Sequence, residues 1–395
     1  DAMMLALYHL RFGKVNPQRM EPTWNFTRQF RPGQDPLRTL TAAVEAPSLA
    51  AFLGQWLDRA PLYRTLQDRL AEHRALAATG GWPDVPEGPI LRPGDADPRL
   101  AVLRERLIIS GDLPSDTPVA DVYADDLVAG VRRFQARHNL TADGILGART
   151  REAMNVPVGT RIDQLRLSLE RARWVLEDTA GEVVVVNVAG YEVFAARNGT
   201  PFWRRRAVVG TQARETPIFK GSMTYLDLNP TWTVPPTILR EDLLPKVRRD
   251  PGVLARQNMT VLDRNGRAVN PATINWQAVG NRPPYTFRQG PGPNNALGRI
   301  KFMFPNPHSI FLHDTPARGL FEQAERNFSS GCIRVEDPLS LAEIVLGEPA
   351  RWNRSTLEAV IAGGKTRTLR LPKPWPVLIL YWTAELDGEG RVRFL

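Results

Sequence analysis

One cysteine in 395 residues excludes an intrachain disulfide and any metal site built from several thiolates. Histidine is nearly as scarce. His9, His73, His138, His308 and His313 are the whole supply, so thiol chemistry would have few bases to choose from. No apolar run reaches the length that spans a bilayer. Nor does a charged segment followed by an apolar one open the chain, which fits a cytosolic protein or an exported one whose signal or anchor has been removed. HExxH, the EF-hand loop, the P-loop and GxGxxG are all absent, so metalloprotease, calcium and nucleotide readings lack their signatures. No two carboxylates mark themselves as a glycosidase dyad.

What the chain does have is length for two or three domains, 43% hydrophobic residues for real cores, and 34 prolines for turns and rigid connections. Its formal charge of +9 suits nucleic acid, an anionic membrane or an anionic extracellular polymer without choosing among them. Basic clusters such as RRR at 204–206 and KVRR at 246–249 read as solvated surface.

Along the chain, residues 1–87 read as a helical scaffold. In PLYRTLQDRLAEHRAL, Leu62, Leu66, Leu70 and Leu76 recur near helical spacing, Pro61 suits a first turn, and His73 lies on or beside the stripe in a structural role. WPDVPEGPILRPGDADP is a Pro/Gly/Asp-rich boundary. Residues 88–156 form a compact helical unit, in which Leu127, Val131 and Phe134 mark an amphipathic helix and 139–147 a turn into a second one. Residues 157–180 carry a further helix, with Ile162, Leu165, Leu169 and Ala172 on one face. The texture then becomes β: EVVVVNV and YEVFAARNG joined at Ala189-Gly190, then FWRRRAVVG and SMTYLDLN. Residues 181–395 are therefore expected to be a mainly β domain, with 350–395 as a C-terminal extension. A Pro-rich insertion at 237–288 reads as a packed subdomain or a mobile lid, leaning toward the lid.

The chemistry concentrates in FSSGCIRVED, where Cys332 follows Gly331 in a tight turn. Acyl transfer by a thiol needs a base, and backbone donors for the oxyanion. His313, at the end of a strand-like run just upstream, is the better base than His308. The amides of Gly331 and Cys332 are placed to form an oxyanion hole. Arg334 either binds a substrate carboxylate and supports the thiolate, or forms an ion pair with Glu336 or Asp337.

IFLHDTP with RNFSSGCIRVED resembles the catalytic motif of the L,D-transpeptidases, the YkuD-type cysteine enzymes that cross-link bacterial peptidoglycan. The likeness is to their large multidomain YcbB-type members of the Gram-negative periplasm. TRIDQLRLSLERARW, NPTWTVPPTI and GPGPNNALGRIKFMFPNPHSIFLHDTP follow the same pattern in order and spacing. VRRFQARHNLTADGILGARTREAMN is similar to a peptidoglycan-binding module.

The resemblance implies a multidomain α+β protein: a mainly β YkuD-like catalytic domain, a substrate-capping insertion, a small helical peptidoglycan-binding module and a helical scaffold. It implies Cys332 as nucleophile, His313 as base and Gly331 as donor, with Arg334, Ser330, Asn306, Trp232 and Asp314 binding substrate or stabilising the loop. It implies 3→3 cross-linking from a tetrapeptide stem with release of D-alanine, no cofactor or metal, and acylation by carbapenems. Its partners would be stem peptides and glycan, with room for cell-wall synthesis proteins and for an inner-membrane anchor outside this sequence, but no nucleic acid. Water or a D-amino acid as acceptor would make the protein an L,D-carboxypeptidase or an exchange enzyme instead. One position departs: the family reads Ser-His-Gly-Cys and this chain reads Ser329-Ser330-Gly331-Cys332. A serine replaces one hydrogen bond but not a charge, so a catalytically decayed wall-binding scaffold is the contrasting reading.

Overall fold

The computed structural model describes residues 1–26, 28, 35–56 and 61–395. The Leu62 side chain of the expected stripe lies outside the described residues. Leu66 and Leu70 are buried, packed with Leu165 and Leu169 of the helix Val158–Val175. His73, in the helix Pro61–Ala78, donates through Nδ1 to the Arg69 carbonyl at 2.7 Å and meets Trp82 edge-on.

The β-rich domain is built on β1 (Glu182–Asn187), β2 (Glu192–Arg197), β3 (Thr200–Gly210) and β4 (Phe219–Leu228). After β4 the chain leaves for a smaller sheet of β5 (Trp232–Thr233), β6 (Met259–Leu262), β7 (Ala268–Val269) and β8 (Thr286–Gln289). It returns through β9 (Ile300–Met303), β10 (Leu312–His313), β11 (Asn327–Ser329), β12 (Ile333–Val335) and β13 (Arg367–Leu380). The main sheet runs β11-β3-β12-β10-β9-β4-β13-β1-β2. Because β3 pairs with β2 through its first half and with β12 at Ala207 and Val208, the sheet folds back on itself.

EVVVVN reads as an unbroken apolar run because β1 is buried on both faces. Val184 and Val186 join the main core with Phe302, Leu312, Ile333 and the helix Pro338–Leu346, while Val183 and Val185 pack against Trp24 and Trp174. Residues 350–395, expected as an extension, instead supply β13, which lies between β4 and β1 in the middle of the sheet. Pro372 and Pro374 are accommodated where the register with β4 shifts, between Arg370 and Trp375, while Pro376 pairs in register opposite Ser222.

The insertion has a core of its own: Leu239, Leu244, Val247, Val261 and Phe287 are all buried. A small helical unit is likewise self-contained around Leu103, Leu107, Val131, Phe134 and Met154, drawn from the helices Leu100–Ile109, Asp125–Arg137 and Ala148–Met154. Among the described residues no helix is long and apolar enough to cross a membrane.

Candidate active site

Strand register brings the candidate residues together. β10 runs parallel to β12 with Leu312 opposite Ile333 and His313 opposite Arg334, while β9 runs antiparallel with Lys301 opposite His313. Leu312 and Ile333 point into the core. Period-two alternation therefore puts Phe311, His313, Cys332, Arg334 and Lys301 on the opposite face. Lys301 Nζ sits 4.0 Å from the centre of the Phe311 ring, and the Phe311 and His313 rings lie 5.8 Å apart.

His313 is 4% exposed, and its Nδ1 donates to the Asp314 carbonyl at 2.5 Å. That bond fixes the tautomer with Nε2 as the free acceptor. Burial, with Arg334 and Lys301 adding repulsion, holds the imidazole down to about 3. The partly buried Cys332 thiol is pushed up by burial, against the opposing pull of the Phe311 amide, Lys301 and Arg334. Both groups rest neutral near pH 7. His308, by contrast, packs on Phe219 with ring centres 4.9 Å apart.

The displaced imidazole carries a stability consequence. Below about pH 6.5 an unfolded histidine takes up a proton, whereas folded His313 refuses it until about pH 3. The unfolded state binds more protons throughout that window, so stability falls with falling pH, by an amount on the order of a few kcal/mol from this group. His73 and His138 are displaced in the same direction by burial and add to the slope. Denaturant melts from pH 7 to 4 should show a shallower loss for His313→Gln than for the parent. Identical slopes would mean that His313 titrates normally in the fold.

The cysteine turn is held by groups that the sequence did not single out. Ser329 Oγ accepts from the Gly331 amide at 3.1 Å and donates to the Cys332 carbonyl at 2.6 Å, while Thr216 Oγ1 donates to the Gly331 carbonyl at 2.8 Å. Gly331 has φ +106°, and a Cβ there would stand 3.2 Å from the Glu215 carbonyl oxygen, so glycine is required. The Gly331 N–H, expected as an oxyanion donor, here donates to Ser329 Oγ. The Cys332 amide has no partner among the described residues.

Of the two readings of Arg334, the ion pair with Glu336 or Asp337 is the one that the structure does not hold. Glu336 is taken by Arg206, with the guanidinium Nε 3.0 Å from Oε1, and Asp337 lies 3.6 Å from both Arg205 and Arg354. Arg334 has no ion pair among the described residues, and its buried Nε lacks a hydrogen-bond partner. Asn306, expected in the cleft, spends its amide inside its own loop, donating to the carbonyls of Phe304 and Ile310, both at 2.7 Å. That loop carries Ser309, at φ +56°, whose carbonyl lies 3.7 Å from Cys332 Sγ. The buried Asp314 carboxylate accepts from the Arg299 amide at 2.8 Å and faces Arg318 at 3.2 Å. Trp232 lines a cavity of about 440 Å3, together with Asp242, Met259, Gln289 and Pro316.

Ser330 Oγ accepts from Arg214 Nη1 at 2.9 Å, and the same guanidinium pairs with Asp242 at 2.6 Å and Glu241 at 2.7 Å. One side chain thus ties the cysteine loop to the insertion. Because these charges are partly solvated they add little to global stability. Arg214→Ala should leave the melting temperature nearly unchanged while speeding amide exchange across Leu239–Leu243 severalfold. Unaltered exchange would show that the tie restrains nothing.

Comparison with known proteins finds likenesses along the chain. Residues 181–368 match the profile of the "L,D-transpeptidase catalytic domain" of YkuD type. This β-rich part of the chain is YkuD-like. Residues 97–154 match a "Putative peptidoglycan binding domain" and residues 1–70 a "Scaffold domain", so the chain joins a β-rich YkuD-like domain to a helical module and a helical N-terminal scaffold. A curated protein of Haemophilus influenzae named "Putative L,D-transpeptidase" is 37% identical over 229 residues, covering 58% of this chain. The match takes in 46% of that relative, so the chain spans about half the length of the curated protein it matches.

Solved structures similar to this chain include an L,D-transpeptidase from Stackebrandtia nassauensis, with 11% identity and a TM-score of 0.27 over 75% of this chain and 96% of that one. Another is L,D-transpeptidase 3 from Mycobacterium tuberculosis with a faropenem-derived adduct, with 11% identity and a TM-score of 0.24 over 50% of this chain and 60% of that one.

Proposed function

We propose that the protein is a cysteine L,D-transpeptidase that forms 3→3 peptidoglycan cross-links. The observation carrying this reading is the strand register that sets His313 opposite Arg334, with Cys332 just before β12 two residues from Arg334 on the same face and Lys301 on the other flank of His313, inside the matched residues.

In this reading Cys332 Sγ attacks the carbonyl of the third residue of a tetrapeptide stem, meso-diaminopimelate. The thiol proton passes to His313 Nε2. Since both groups rest neutral, the proton moves as the C–S bond forms and not before it. The free Cys332 amide donates to the developing oxyanion, and Lys301 and Arg334 favour the negative charge. Collapse breaks the bond to D-alanine, which leaves as an amine carrying the proton from His313. A side-chain amine of a second stem then attacks the thioester, gives up a proton to His313, and the thiol is regenerated.

The insertion, tied down through Arg214, excludes water from the acyl-enzyme. Residues 88–156 hold wall glycan, and the site of action is the periplasm of a Gram-negative bacterium. Carbapenems acylate the same sulfur.

Mass spectrometry of the protein with disaccharide-tetrapeptide muropeptides tests the reading. The expected products are a 3→3 dimer and free D-alanine. Tripeptide alone would make it a carboxypeptidase, exchange of the terminal residue for a free D-amino acid would make it an exchange enzyme, and absence of both product and adduct would favour a wall-binding scaffold.

A further inference from the structure

Far from the cysteine, a cavity of about 330 Å3 opens where the scaffold helix Pro61–Ala78, the small helical module, the helix Val158–Val175 and the hairpin of strands Ala384–Leu386 and Val392–Phe394 meet. Five arginines line it: Arg69, Arg106, Arg137, Arg161 and Arg391. Three are neutralised. Arg69 pairs with Glu72 at 2.8 Å, Arg137 with Asp112 at 2.5 Å and Arg391 with Asp387 at 2.9 Å.

The other two have no carboxylate partner among the described residues. Arg106 is 2% exposed; its Nε donates to the Met154 carbonyl at 3.0 Å, and its Nη1 is buried with no hydrogen-bond partner. Arg161 is 6% exposed and donates only to neutral acceptors, Gln164 at 2.8 Å and the Ala153 carbonyl at 3.0 Å. Two uncompensated buried cations in one cavity are costly unless something negative joins them.

Aromatic rings supply the remaining walls. The Arg106 guanidinium lies 4.0 Å from the Trp82 ring centre and that of Arg161 lies 4.6 Å from Phe394. Such stacking holds the planar groups in place yet leaves their edges as donors. His73 and His138 each donate Nδ1–H to a backbone carbonyl, which leaves Nε2 as an acceptor for a hydroxyl or N–H of the occupant's organic body, not for the oxyanion.

We propose that this junction cavity is an oxyanion-binding site, taking a carboxylate or phosphate group through Arg106 and Arg161. The volume is at the lower end for small-molecule pockets and exceeds what a bare ion needs, so the oxyanion is borne on a small organic body that lies against the rings. The site goes beyond the reading of Cys332 and does not depend on it. An occupant would join scaffold, module and hairpin, making their mutual orientation ligand-dependent.

The test is thermal unfolding of the full chain titrated with inorganic phosphate and, separately, with acetate, each against sodium chloride at equal ionic strength. The expected result is a saturable rise of roughly 1–2 °C with at least one of the two oxyanions. Phosphate and acetate as probes separate the two chemistries. Arg106→Gln and Arg161→Gln should each lose at least half of that rise; if one variant fails to fold, the other carries the comparison. No rise above chloride in the parent, or an undiminished rise in a folded variant, overturns the proposal.

Discussion

Cys332→Ala should yield a folded protein that makes no 3→3 dimer, releases no D-alanine and gains no mass with a carbapenem. The chain has one thiol, so nothing else can carry the thioester. The loss in turnover should be about 10^4-fold or more, because the substitution removes the bond-forming atom and not an accessory interaction. Stability should survive. The sulfur's hydrogen-bond acceptor is the Ser309 carbonyl at 3.7 Å, and the turn itself is held by Ser329 and Thr216. Muropeptide analysis and intact-protein mass measure the two readouts together. Retained turnover in a verified Cys332→Ala sample would end the cysteine mechanism.

His313→Gln should lower the acylation rate by about 10^2- to 10^4-fold, the range expected for a positioned general base. Glutamine can still donate to the Asp314 carbonyl, so the strand end keeps its shape and the loss reports on proton transfer. With the imidazole held down to about 3 in the free protein, the acid limb of kcat/KM in the parent should lie well below pH 6.5, wherever unfolding does not intervene. A parent acid limb centred near pH 6.5 would contradict the burial argument. Wild-type rates for His313→Gln would refute the role of the imidazole altogether. Stopped-flow acylation by a carbapenem gives these rates without involving the acceptor step.

The comparison of sequence and structure shows which kinds of information were local. EVVVVN, the helix around Val131 and Phe134, and the strand end at His313 were legible because periodicity and turn residues are written within a few positions. Lys301 was missed because its place beside His313 exists only through the register of β9 on β10. Arg214 was missed because its partners, Ser330 and Asp242, are remote in the chain. The Gly331 amide looked available because nothing in Ser-Ser-Gly-Cys says that the first serine folds back to accept it. Glu336 looked like a partner for Arg334 by proximity in sequence, yet neighbours two apart on a strand share a face only until a cross-strand arginine, here Arg206, claims the carboxylate. Residues 350–395 read as an extension, because the parallel partner of β13 in β1 lies almost two hundred residues upstream and is set only by the fold.

That central strand also governs the order of assembly. Val184 pairs with Val377 in parallel, near opposite ends of the domain's own sequence, with β4 on the other side of β13. A chain emerging from its N-terminus can form the hairpin of β1 and β2 early, but the gap beside β1 stays open until Arg367–Leu380 has been made. Such remote pairings are slow to find. The domain is therefore built to complete itself late, and an interruption of synthesis before residue 367 would leave two unpaired sheet edges where the finished protein has its interior.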